Sequence, residues 1–173
     1  MKRPADDEFL PYYAHYISLV GDGDVIGILE SQIKETVALL RGIPDSGGTF
    51  RYAPGKWSVN EIVGHLLDAE RIFGNRALRF ARGDRTPIPG FEQDDYVRGG
   101  NFDAYPLAEL AAEFEAVRKD TCLLYRHMSE EATARRGTAN GAEVSVRALA
   151  YITAGHEIHH RGVIAEKYQG ANK

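Results

Sequence analysis

Cysteine is almost missing from this 173-residue chain: Cys122 is the single one. One thiol cannot close an intrachain disulfide or build a thiolate cage, so any bound cation must rest on histidine and carboxylate. No apolar run approaches the roughly 18 residues of a membrane span. The opening Met1-Lys2-Arg3-Pro4-Ala5-Asp6-Asp7-Glu8 turns acidic where a secretory signal would turn apolar. Basic excess is absent too: 21 Lys and Arg against 25 Asp and Glu leave a net charge of −4, the wrong sign for a nucleic-acid footprint. The expectation is a cytoplasmic protein whose partner is a small molecule, with neither nucleic acid nor membrane. What is present is apolar material: 43% hydrophobic residues suffice for one core, and the length favours a single domain over residues 1–173.

Periodicity predicts four helices separated by loops rich in Gly, Pro and Asp. The first runs from about Asp24 to Arg41, with Ile26, Leu29, Ile33, Val37 and Leu40 spaced three and four apart. The second opens at Ser58, where Ser58-Val59-Asn60-Glu61 has the form of a capping box. Its core face reads Ile62, His65, Ala69, Ile72, Phe73 and Phe80. A long segment from Asp84 to Tyr105 follows, and a connection of that length in a compact domain is more often functional than idle. The third helix starts at Pro106 and presents Leu107, Leu110, Phe114, Val117, Thr121, Leu124 and Met128, a stripe suited to bundle packing. Ser129-Glu130-Glu131 caps a short extra turn, and Gly137, Asn140 and Gly141 form another turn. The last helix runs from about Ser145 to Tyr168. No strand pattern is strong enough to build a sheet, and Phe9 to Val20 is ambiguous. The architecture is an all-α four-helix domain with long inter-helix loops and a core from about residue 24 to 168.

On the last helix Leu149, Ile152, His156, His160 and Val163 fall within about 40° of one direction. A core histidine costs desolvation and needs a hydrogen bond, so three on apolar stripes require an explanation. Each alone reads first as a satisfied core or rim histidine. The i, i+4 spacing of His156 and His160, however, sets two rings on one face at a separation suited to a shared cation. His65 would complete a facial set and leave positions open. Each imidazole must be neutral to ligate, so affinity should weaken on acidification through the ordinary histidine pKa of about 6.5.

Two familiar alternatives fail. His156-Glu157-Ile158-His159-His160 matches His-Glu-x-x-His, yet the metzincin continuation needs glycine at 163 and histidine at 166, where Val163 and Glu166 stand. A di-iron carboxylate site needs two Glu-x-x-His pairs, and only Glu157 with His160 fits. Among the neighbouring residues, Glu157 is a candidate general base or, more commonly for a glutamate, a solvated or salt-bridged one. Asp68 orients a ligand imidazole or pairs with Arg71. His159 lies about 100° round the helix and flanks the site. His15 and His127 are structural, and Trp57 packs at the helix entrance.

Lys56-Trp57-Ser58-Val59-Asn60-Glu61-Ile62-Val63-Gly64-His65, followed far downstream by Gly155-His156-Glu157-Ile158-His159-His160-Arg161-Gly162, resembles the DinB/YfiT-like superfamily of metal-binding four-helix bundles. The similarity covers roughly Asp24 to Tyr168. It implies an up-down-down-up bundle, often a homodimer, with one divalent ion such as zinc or nickel on His65, His156 and His160. Relatives of this kind include thiol-dependent S-transferases and isomerases that use low-molecular-weight thiols, and some hydrolases.

The leading expectation is therefore an enzyme whose cation lowers the pKa of a bound thiol or water. Its substrate would be a small electrophile or ester admitted past residues 84–105, with Phe91, Tyr96 and Phe102 as apolar walls and Arg98 as an anion contact. The competing expectations are a metal-dependent hydrolase and a non-catalytic metal-binding or stress-response module. Three good ligands rather than the four of a structural zinc site favour an open centre.

Overall fold

The computed structural model describes residues 1–172, and they are mostly helical. Four long helices dominate: α2 (Val25–Arg41), α3 (Val59–Ala81), α5 (Leu107–Arg126) and α7 (Val146–Lys167). The short helices α1 (Ala14–Leu19), α4 (Gln93–Gly100) and α6 (Glu130–Ala134) fill the connections. Each long helix starts where its sequence says it should. Asp24 accepts from the Gly27 amide at 3.3 Å, and Ser145 from the Ala148 amide at 3.0 Å. At Ser58 the box closes in both directions: its hydroxyl accepts from Glu61 N at 3.0 Å while Glu61 accepts from Ser58 N at 2.7 Å. No described helix is long and apolar enough to cross a membrane.

Three expectations need correction. Residues 136–145 form a hairpin, β1 (Arg136–Ala139) antiparallel to β2 (Ala142–Ser145). Asn140 and Gly141, at φ 52° and 76°, supply the left-handed pair that a two-residue turn demands. Strands of four residues are too short for alternation to be read in the sequence. Gly137, expected in a turn, lies in β1 against Phe80, whose ring would overlap any Cβ there. The second correction is that the 84–105 segment is not bare loop. Ile88 N donates to Thr138 O at 2.9 Å and Asn140 N to Ile88 O at 3.0 Å, which ties the segment to the hairpin before α4 begins. Third, the buried face of α5 includes Arg118, Cys122 and Tyr125, whereas Val117, Leu124 and Met128 are only half-buried.

That shift has a reason. The core is two apolar clusters, one including Leu29, Phe73, Phe80, Cys122 and Leu149, the other Leu40, Ile62, Leu67, Phe114 and Ile164. Between them each long helix contributes buried polar groups: Gln32 and Thr36, Glu70, Arg118, and His156 with Glu157. Arg118, only 1% exposed, donates to Glu70 at 2.7 Å and to Gln32 at 2.6 Å, and Gln32 donates to Ala154 O at 3.0 Å. A charge at this position survives because its partners are buried with it.

Removing one partner of such a pair leaves an uncompensated charge, so Glu70→Ala should lose about 3–5 kcal/mol of stability. The exposed Arg71–Glu113 pair at 2.5 Å is the control, and Glu113→Ala should cost about 1 kcal/mol or less. Chemical denaturation of both variants checks the contrast.

Candidate metal centre

The polar layer ends at three imidazoles. His65, on the second turn of α3, and His156, in the middle of α7, are 3% and 7% exposed, and His160 is half-buried one turn further along α7. His65 Nε2 lies 3.0 Å from His156 Nε2, and His160 Nε2 lies 3.1 Å from the same atom. One donor atom from each residue falls within 4.8 Å of the others. Two zinc–nitrogen bonds of about 2.0–2.1 Å at the tetrahedral angle span about 3.3 Å. Three neutral imidazoles with their Nε2 atoms this close therefore fit a divalent cation.

Local packing sets the rings. Gly155 precedes His156 because α1 crosses there so closely that a Cβ would overlap the Tyr16 carbonyl. That approach lays the Tyr16 ring edge-on to His156 at 5.3 Å. Gly64 precedes His65 because the Phe102 ring occupies the space a side chain would take. Trp57, expected only to pack at the helix entrance, also stacks on His65 at 4.9 Å. This apolar surround penalises the charged imidazole. Burial pulls His65 down to about 4 and His160 to about 3, and drives His156 well below its ordinary value. The three imidazoles are neutral across the physiological range, so a cation bound to them would meet proton competition only far below the 6.5 of free histidine.

Two cavities reach the triad. A cleft of about 340 Å³ is lined by His65 and His156 together with Tyr13, Phe73, Arg76 and Phe91. A second, of about 280 Å³, meets His160 among Trp57, Tyr52, Asp94 and His159. Glu157, the candidate general base, lines neither. It is wholly buried, accepts from the Thr36 hydroxyl and stands 3.6 Å from Arg161, so it is not solvated as one reading had it.

Asp68 makes no recorded hydrogen bond to a triad imidazole among the described residues, and Arg71 pairs with Glu113 instead. His159 stacks with His15 at 5.7 Å and Tyr16 at 5.5 Å, outside the triad. His15 and His127 are exposed. Of the expected walls, Phe91 lines the larger cleft and Tyr96 stacks on it at 5.0 Å, while Phe102 packs in the second apolar cluster. Arg98, the expected anion contact, is an exposed residue of α4 paired with Asp95 at 2.8 Å and lines neither cavity. The features the sequence reading missed are the tyrosines of the ambiguous N-terminal stretch and Arg76. Their signals were present: three Tyr within five residues, and an arginine one helical turn after Phe73 on the apolar face.

The depressed histidines also set a pH dependence. A base whose folded pKa lies below its unfolded value binds protons better when unfolded, so stability falls as the pH drops through the unfolded value. The metal-free chain should lose thermal stability between pH 6.5 and about 5, above the carboxylate range. His156→Gln should flatten that slope in the same melting series.

Among solved structures, the chain is similar to YfiT of Bacillus subtilis, described as a probable metal-dependent hydrolase with an unusual four-helix bundle topology. The identity is 15%, with 95% of this chain and 90% of that one covered and a TM-score of 0.71. It is also similar to a mycothiol-dependent maleylpyruvate isomerase, at 15% identity, 79% and 57% coverage and a TM-score of 0.64. A third match is the DinB-like protein YjoA of Bacillus subtilis, at 19% identity, 87% and 94% coverage and a TM-score of 0.63. No curated protein matches the chain. The family model described as the DinB superfamily matches residues 28–164, inside the core expected from periodicity. With that span and a four-helix bundle relative, the chain belongs to the DinB superfamily.

Proposed function

We propose that this chain is a metal-dependent enzyme acting on a small molecule, with a low-molecular-weight thiol as the nucleophile in a group transfer. His65, His156 and His160 hold one divalent ion per chain, zinc or nickel, which supplies the Lewis acidity that generates a nucleophile at neutral pH. The observation that carries the reading is the convergence of the three Nε2 atoms at 3.0 and 3.1 Å where two cavities open. Structural zinc sites close with four protein donors, and this group has three. The chain's own part is to keep the imidazoles neutral, to exclude water with Trp57, Tyr16 and Phe73, and to admit reactants through both cavities.

Two chambers suit a two-substrate transfer and so favour a thiol over water. The neighbours' descriptions support metal dependence in general: one is a probable metal-dependent hydrolase, the other a mycothiol-dependent isomerase. Glu157 is assigned no proton transfer, because it touches neither chamber. An up-down-down-up run of the long helices belongs to the same reading. Its support is that Gln32–Ala154 and Thr36–Glu157 advance together along α2 and α7. The partners of α2 on α5 run backwards, from Glu30–Arg126 to Arg41–Glu115. A homodimer and a cytoplasmic location rest on family membership and are proposed with it.

Purified protein reconstituted with zinc should hold about one ion per chain by elemental analysis, and His160→Ala should lose stoichiometric loading. Full occupancy in that variant would mean that the triad is wrongly assigned. The thiol has a separate test. A cobalt-substituted protein should change its visible spectrum when a small thiol is added, because a coordination position is open. An unchanged spectrum, together with loss of the helical signal on chelation, would instead make the site structural.

A further inference from the structure

Among the described residues two arginines are buried, and one of the two has a counter-ion there. Arg118 has Glu70 and Gln32. Arg76, 4% exposed, donates to Pro89 O at 3.2 Å, and its buried Nε has no partner. Among the described residues no carboxylate lies within 4.0 Å of its guanidinium, since every ion pair found involves other residues. A guanidinium does not shed its proton in a protein. A buried, uncompensated cation is disfavoured unless something outside the chain neutralises it.

The position of this cation gives it a use. Arg76 lines the cleft that ends on His65 and His156. The Phe73 ring neighbours both, 6.1 Å from the His156 ring and 6.0 Å from the guanidinium carbon. The guanidinium and the histidines are therefore within reach of one small molecule. The guanidinium is held from behind by Pro89, whose segment is fixed to the hairpin through Ile88. Tyr13, Tyr16 and Phe91 add aromatic wall, Gln93 and Asn140 add amides, and Glu92, the one carboxylate of the lining, is exposed.

We propose that Arg76 makes this cleft a carboxylate subsite, so that the reactant bound there is a small aromatic carboxylate with its other end toward the triad. The planar fork of a guanidinium matches a carboxylate. A phosphate would call for more cationic donors, and no second arginine or lysine lines the cleft. The orientation toward the triad rests on the metal-centre reading, whereas the anion subsite stands without it.

The test uses the full-length, metal-free protein with benzoate and its neutral counterpart benzamide, followed by isothermal titration and thermal melting. Benzoate should bind and raise the melting temperature, and benzamide should bind about tenfold or more weakly, the loss of one charged hydrogen bond. Arg76→Met removes an unpaired buried cation, so it should fold, melt no lower than the wild type without ligand, and bind the two probes alike. Arg76→Lys, which keeps the charge without the fork, should retain part of the preference. No response to benzoate, equal binding of both probes by the wild type, or a preference that survives Arg76→Met would each overturn the proposal. Failure of the metal reading shows differently: zinc would not load, and the benzoate preference would remain.

Discussion

The fold turns on one buried cation. Arg118 sits between two apolar clusters, and its guanidinium satisfies Glu70 of α3 and Gln32 of α2 while Gln32 reaches Ala154 of α7. Four helices are thereby registered against one another at a single level. A uniform apolar core would allow helices to slide by a turn with little penalty, but a charged layer does not, because every slip strands a buried charge. His156 and Glu157 lie two and three residues beyond the Ala154 carbonyl that this network holds. The histidines meet because that layer fixes how far α7 extends past α3.

The same arrangement explains the protonation of the site. Imidazoles in water are part-charged near neutrality. Here Trp57, Tyr16 and Phe73 surround them, and burial depresses all three. The cost is borne by the fold: each ring is a neutral base that would gain a proton on unfolding. Glycines at 64 and 155 let Phe102 and Tyr16 approach that closely, which couples the segment 84–105 and the N-terminal stretch to the two helices that carry the ligands. The two cavities are bounded by these same segments, so the connections between the long helices shape the access to the site.

Much of this was legible in the sequence, and the parts that were not share a cause. The capping box at Ser58 announced one helix start, because capping is local chemistry between residues three apart, and periodicity put two others near Asp24 and Ser145, where the structure shows side-chain caps. His156 and His160 were legible as a pair for the same reason, and His65 followed from its place on an apolar stripe. The hairpin at 136–145 escaped because its strands are four residues long and its Asn140-Gly141 turn reads as any loop does. Arg118 escaped because an arginine in a helix is solvated unless a distant glutamate is buried with it, and Glu70 is 48 residues away. Arg98 was selected over Arg76 because the long segment looked functional as a loop, whereas the buried cation lies on α3 beneath it. Contacts within one helical turn are readable, and pairings across the bundle are not, except where an apolar stripe carries a misplaced polar residue, as it does at His65.

The central claim is that His65, His156 and His160 bind one divalent ion and leave a position open. The most direct measurement is the zinc K-edge X-ray absorption spectrum of the zinc-loaded protein in solution. The expected spectrum has three imidazole nitrogens at about 2.0–2.1 Å with the multiple-scattering signature of the rings, plus at least one light oxygen or nitrogen donor from solvent that is exchanged for sulfur when a small thiol is added. A spectrum with fewer than three imidazoles, or with a closed four-donor set that thiol leaves unchanged, would contradict it.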